Sequence, residues 1–226
     1  MATTADFLTK IDETIKDPRD RLTTAAKTNF LKEAIRQYSR DKPRTTDAKL
    51  AGDGTLQDFP VPTTWVTDFS VLLEAEFPID LIPPAILDLQ DNLLLVRRDG
   101  AERILTLLLT LGATESMRLV YTTQHLVDGT TVPDNDFDAV ANLTSARAAR
   151  AIAIELAEST EDTINVDVVD HQGKARDFDD LARSLEASYR EHITEGETEV
   201  AELLHFDTDI AFSWRRDFLT HPRRFR

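Results

Sequence analysis

Hydrophobic residues recur with a helical period towards both ends of this chain and lose that period in between. Thr3–Lys16 predicts a short helix: Thr3 or Thr4 can cap it, and Phe7, Leu8, Ile11 and Ile15 share one face. Asp17-Pro18 breaks it, because the residue before a proline is pushed out of the helical region. From about Arg19 to Arg40 a second helix is predicted. Leu22, Ala26, Phe30, Ala34 and Tyr38 repeat every four residues, Leu31 and Ile35 lie beside them, and Pro43 ends the pattern. Residues Thr45–Pro60 read as a loop around a Gly52-Asp53-Gly54 turn.

Between Phe59 and His125 the candidates are strands: Val71–Phe77, Leu93–Arg97, Ile104–Leu111 and Met117–Gln124. Arg98-Asp99-Gly100 and Leu111-Gly112-Ala113 supply turns, and Pro83-Pro84 punctuates the middle. Helices return at Asp136–Ser159, where Phe137, Val140, Ala148, Ile152 and Leu156 fall near one stripe and many Ala permit close packing. In Phe178–Ile193, Phe178, Leu181, Ala182, Leu185 and Tyr189 follow i, i+3, i+4, i+7, i+11. Thr160–Lys174 between them is polar, with a short strand candidate at Ile164–Val169. The pattern predicts an α+β protein in which a small, mostly antiparallel sheet is inserted between helices. Its divisions are helices over 1–58, a β region over 59–130, helices over 131–195, and an extended arm over 196–226.

Charge adds to this picture at the C-terminus. The chain carries −15, with Asp far ahead of Glu and Arg far ahead of Lys. An acidic, Asp- and Thr-rich, Lys-poor surface suits very high salt, so a halophilic source is one reading of it; it also opposes general DNA binding, since like charge repels phosphate. Trp214–Arg226 runs the other way: five Arg against Asp217 alone make it +4, which leaves −19 on the other 213 residues. Within it Trp214, Phe218 and Phe225 can anchor, and Arg215, Arg216, Arg223, Arg224 and Arg226 can pair with carboxylates, His221 lying among them. It reads as a docking arm, with a nucleic-acid arm as the other use of the same residues.

Candidate chemistry is sparse. There is no Cys, hence no disulfide, thiolate nucleophile or Cys metal site. Asp134, Asp136 and Asp138 open like a calcium loop, but Ala139 stands where Gly is needed and Ser145 where Glu is needed, so they read as a helix start. The histidines, 125, 171, 192, 205 and 221, have no ligand spacing and are expected in surface or capping roles. Neither a G-x-S-x-G elbow nor a Gly-rich phosphate loop occurs. With 41 acids, pairs of carboxylates carry no information about hydrolysis. No cofactor, metal or catalytic residue is expected. Charges within the apolar pattern of the first residues do not suit a signal peptide, and the longest apolar run, Ile104–Leu111, is too short to cross a bilayer, so no membrane is expected and the protein is read as made in the cytoplasm.

A series of features in fixed order carries a resemblance. A helix ends in Ala34-Ile35-Arg36, Tyr38, Pro43 and Arg44. A sheet entry holds Pro62, Trp65, Phe69 and Ser70, followed by Glu76, Pro78 and Ile79. A strand ends in Tyr121, Thr122 and His125. A helix start holds Val132, Pro133, Asp136, Ala139 and Val140, and a late helix has Leu181-Ala182 with Tyr189 two turns on. Over most of Thr3–Ile193 this order resembles the head-to-tail adaptor (connector, head-completion) proteins of tailed viruses.

The resemblance implies a helical-bundle core with a β insertion, and a structural virion protein rather than an enzyme. It implies self-association into a ring, about twelve copies, beneath the portal protein in the neck of the virion. The ring would extend the channel through which viral DNA passes without specific binding, and would offer a platform to a stopper or tail-completion protein. In such adaptors the C-terminal arm reaches the portal, which is the role implied for Trp214–Arg226. Two other readings stand beside it: another neck or tail component such as a stopper or tail terminator, which would be richer in β structure, and a halophilic hydrolase with an unrecognised carboxylate site.

Overall fold

The structure is a computed structural model that describes residues 2–17, 21–55, 57–98, 101–106, 110–158 and 174–194. Its elements, in chain order, are α1 (Thr4–Ile15), α2 (Thr24–Asp41), β1 (Arg44–Ala51), β2 (Asp58–Pro60), β3 (Leu72–Glu76), α3 (Leu89–Asn92), β4 (Leu93–Arg98), β5 (Ala101–Thr106), β6 (Ser116–Thr123), a 3₁₀ turn at Asp134–Asp136, α4 (Phe137–Glu158) and α5 (residues 174–194). The fold is α+β, as the pattern predicts. The described residues divide into two compact units: a helical one, drawn from residues 2–34 and 132–194, and a sheet unit, drawn from Ile35–Thr131.

In the helical unit α1 begins where Asp6 reaches back to Thr3. Its carboxylate accepts from the Thr3 backbone N–H and from the Thr3 hydroxyl, both at 2.8 Å. Helix α2 begins at Thr24, five residues after the sequence pattern alone suggests. Asp17 accepts from the backbone N–H of Arg21 at 2.6 Å and holds a turn there, and the Thr23 hydroxyl accepts from Ala26 N–H at 3.2 Å as the cap. Helix α4 is buried well beyond one stripe, and the residues that permit this are small: Ala139, Ala141, Ala146, Ala148, Ala149 and Ala153. Ile152 and Leu156 of α4 pack with Ile11, Ile15 and Leu22, while Ala146 and Ala149 meet Ala182 of α5. Phe7 and Phe137 lie with ring centroids 4.5 Å apart. Surface ion pairs such as Lys10–Asp138 and Arg147–Glu33, both at 3.0 Å, join the helices at the rim, where each is worth well under about 1 kcal/mol.

Ser145 of α4 is fully buried and its hydroxyl has no hydrogen-bond partner among the described residues. A buried polar group left unpaired costs about 1–3 kcal/mol, and Ala is also the better helix former. Ser145→Ala is therefore expected to stabilise the protein by about 1 kcal/mol, read as a raised urea midpoint with an unchanged slope.

The sheet unit holds two three-stranded antiparallel sheets among the described residues, β1–β6–β3 and β2–β5–β4, rather than the single sheet expected. Strand β1 lies where the sequence reads as a loop. Its eight residues pair in unbroken register with β6, from Arg44 opposite Thr123 to Ala51 opposite Ser116. Only Leu50 of β1 is fully buried, so little hydrophobic alternation announces it. The Gly52–Gly54 turn forms as predicted. A Cβ on Gly52 would come within 2.4 Å of the Gly112 carbonyl oxygen, and Gly54 sits at φ +86°. One core serves both sheets, built from Leu50, Phe59, Trp65, Ala75, Leu93, Ile104, Leu111, Met117, Leu119 and Tyr121.

Candidate functional site

Strands β3 and β6 set Glu76 directly opposite Arg118. The Arg118 guanidinium forks: one nitrogen donates to Glu76 at 2.7 Å and another to Asp80 at 2.7 Å. The other Glu76 oxygen accepts from the Asp80 backbone N–H at 3.0 Å. Asp80 bends the chain with φ +63°, a conformation Asp adopts more readily than most residues. Asp80 first, then Glu76, raises the pKa of Arg118, since both favour its charged form.

This knot directs the loop after β3. The loop returns alongside β3: Phe77 N–H donates to the Ala85 carbonyl at 2.9 Å and Leu87 N–H to the Ala75 carbonyl at 2.8 Å, so the outer edge of β3 is covered. Between these bonds Leu81, Ile82, Pro83 and Pro84 face solvent, and Ile82 is 99% exposed. The loop, Glu74, Glu76, Arg118 and Val120 line a groove of about 540 Å³ whose lining is mostly apolar and includes three carboxylates and one guanidinium.

Two polar clusters brace the unit behind the groove. Tyr121 is fully buried on β6; its hydroxyl bonds with that of Thr64, and its ring lies 5.3 Å from Trp65. Trp65 donates from its indole N–H to Glu102 at 2.5 Å. The second cluster centres on His125, for which a surface or a capping role is expected; it is buried, and its ring meets two backbone carbonyls. Its Nδ1 lies 2.9 Å from the Thr131 carbonyl oxygen, its Nε2 3.1 Å from that of Lys42, and its backbone N–H donates to Ser39 Oγ at 3.0 Å. The Tyr38 ring stacks at 4.8 Å.

In the helical unit Asp136 is 2% exposed and accepts from His192 Nε2 of α5 at 2.8 Å. The Asp134–Asp138 series therefore behaves as a helix start: Asp134 and Asp136 lie in the 3₁₀ turn before α4, and Asp138 pairs with Lys10. Among the described residues, no group of three or more His, Asp and Glu is disposed to hold a metal, and no helix is long and apolar enough to cross a membrane.

The residues that carry the sequence resemblance fall mostly on the framework. Ala34, Ile35, Tyr38, Trp65, Glu76, Tyr121, Asp136 and Tyr189 are buried, whereas Arg36, Pro43, Arg44 and Pro78 are exposed. Tyr38 joins the His125 cluster, Trp65 and Tyr121 join each other, and Glu76 joins Arg118. The arm residues Trp214–Arg226 lie outside the described residues, as does the strand candidate Ile164–Val169. Sequence reasoning did not single out Arg118, Asp80 or Thr64. Their signal is the β3–β6 register and the loop closure, which no local pattern encodes.

Two exposed aspartates have carboxyls held below the ordinary value. At Asp6 the cause is first the Thr3 backbone N–H, then its hydroxyl; at Asp128 it is the backbone N–H of Thr130, then its hydroxyl. A depressed pKa means that these bonds contribute above the unfolded-state value and are lost as pH falls through the folded one. Carbon-13 NMR titration is expected to show both carboxyls ionising at lower pH than an unfolded peptide's; ordinary midpoints would refute the two bonds.

No family model matches the sequence, and no curated protein matches it. Solved structures that align with the chain include "Neck of empty GTA particle computed with C6 symmetry", at 14% identity over 77% of this chain and 87% of that one, with a TM-score of 0.30. "Neck of native GTA particle computed with C12 symmetry" aligns at 14% identity over 79% and 91%, TM-score 0.29. "Virion of native gene transfer agent (GTA) particle" aligns at 14% identity over 76% and 87%, TM-score 0.29.

Proposed function

We propose that this chain is a structural protein of the neck of a tailed-virus-like particle: a head-to-tail adaptor that forms a ring on the portal and offers a platform to a stopper or tail protein. The observation that carries the reading is the ordered series from Ala34 to Tyr189. Most of its members are buried framework residues, Tyr38, Trp65, Tyr121, Asp136 and Tyr189 among them, which suits features that specify a shape and not a reaction. The charge balance supports the same use. An acidic wall lets DNA pass without adhering, because phosphates meet like charge. Ring members must contact neighbours through two different surfaces, a heterologous contact that closes. The arm Trp214–Arg226 is assigned to docking within the neck, with Trp214, Phe218 and Phe225 as anchors and its five Arg as partners for carboxylates.

Co-assembly with the portal protein encoded near it, in molar salt and viewed by electron microscopy, tests the reading. The expected product is a symmetric ring capping the portal. Two folded proteins that fail to associate would overturn the adaptor role and turn attention to a stopper, a tail terminator or an enzyme. Deletion of residues 214–226 is expected to abolish docking and leave the circular dichroism spectrum unchanged. Retained docking by that truncated chain would remove the arm's role.

A further inference from the structure

The sheet unit exposes large apolar side chains at several places, and the groove beside β3 combines them with unbalanced charge. On β4, Leu94 and Leu95 are exposed, but Arg97 and Arg103 nearby already meet Asp68, Glu102 and Asp58. In the groove beside β3, Leu81, Ile82 and Ile86 are exposed at 48, 99 and 59%. Around them stand Glu74, Glu76 and Asp80 with Arg118 as their one cation, a net −2. A contiguous apolar surface of this kind marks an interaction site, and its surplus of carboxylates selects for cations.

The chemistry that fits is a segment with aromatic anchors and arginines. The most basic stretch of this same chain, Trp214–Arg226, has that composition. A groove of about 540 Å³ lies within the size range of pockets that take one small molecule, so it admits a few side chains and not thirteen residues. Trp214-Arg215-Arg216-Asp217-Phe218 sets two aromatic anchors around two arginines. The rest of the segment, with Arg223, Arg224, Phe225 and Arg226, is left for the portal.

We propose that the groove of one copy seats the Trp214–Phe218 part of a second copy. Trp214 and Phe218 cover Leu81, Ile82 and Ile86, and Arg215 and Arg216 face Glu74 and Asp80. This rests on the ring reading above and names its contact: a segment on one copy entering a different surface on the next is heterologous, as a closed ring requires.

The test uses the full chain with the photo-reactive residue p-benzoylphenylalanine in place of Phe218, mixed with ¹⁵N-labelled chain and portal, irradiated, and analysed by mass spectrometry. Electron microscopy of the same sample scores rings. Cross-links from position 218 to residues 74–86 in mixed-isotope pairs are expected, with at least a tenfold lower yield in Glu74→Lys/Ile82→Ser. Those two side chains are exposed, so the variant keeps its fold. Cross-links confined to single-isotope pairs, cross-links to other surfaces, or an unchanged yield in the variant would overturn the proposal. Rings without the 218 to 74–86 cross-links sink this contact and leave the adaptor reading standing. Mixed-isotope cross-links without rings keep the contact and remove the ring.

Discussion

Tyr121→Ala is expected to destabilise the sheet unit by about 4 kcal/mol, within the range of about 3–5 kcal/mol for truncating a large buried aromatic. Tyr121 is fully buried on β6, the central strand of its sheet, opposite Thr46 of β1 on one side and Leu72 of β3 on the other. Its ring packs on Trp65 and its hydroxyl bonds with Thr64. A cavity there opens on a strand paired on both sides, where neither neighbouring strand can shift to fill it without losing register. Against a total stability of about 5–15 kcal/mol, the loss leaves the unit marginal. Urea unfolding followed by Trp65 fluorescence, with Trp214→Phe to remove the other Trp, reads the effect in the unit concerned. Tyr121→Phe, which removes only the hydroxyl, is expected to cost about 1 kcal/mol. A Tyr121→Ala chain within 1 kcal/mol of the parent would contradict the packing described.

His125→Ala is expected to cost about 3 kcal/mol, from a carbonyl left without its donor at about 1–3 kcal/mol together with the space left beside Tyr38. The imidazole bridges the Lys42 carbonyl, just beyond the end of α2, and the Thr131 carbonyl, while the His125 backbone is tied to Ser39 on α2. Ser39 in turn donates to the Ile35 carbonyl at 2.7 Å. The cluster thus fixes where the chain leaves β6 relative to the last turns of α2 within the sheet unit. Hydrogen exchange is the informative readout: amides of Tyr38–Lys42 and 124–131 are expected to lose protection first in His125→Ala. A partial rescue by His125→Gln, which keeps one donor within reach, is expected. Unaltered protection in both variants would show that the ring only fills space.

Where the chain's own pattern is strong, sequence and structure agree. α1, α4, α5 and strands β3, β4 and β6 stand within a few residues of where the apolar pattern puts them, and in α1 and β6 the buried residues recur at the element's own period. Strand β1 is the counter-example. Arg44-Thr-Thr-Asp-Ala-Lys-Leu-Ala51 shows no hydrophobic alternation strong enough to separate it from a loop, and it is a strand because β6 offers an eight-residue ladder. The start of α2 moved for a related reason: the Asp17 side chain captured backbone N–H groups that the helix would otherwise have used.

The candidate site divides in the same way. Glu76, Trp65 and Tyr121 were legible as members of an ordered series, and the basic, aromatic character of Trp214–Arg226 is plain in the sequence itself. Arg118 as the partner of Glu76, His125 as a buried hub and Ile82 at the lip of a groove were not. What the sequence determined by itself is the class of protein: helices around a β region, an acidic body, a cationic segment, and no motif for chemistry. What tertiary structure decided is which of those residues meet. A cross-strand pair depends on register and a buried histidine on the Lys42 carbonyl 83 residues away, and both arise from contacts across dozens of residues that no local period can record.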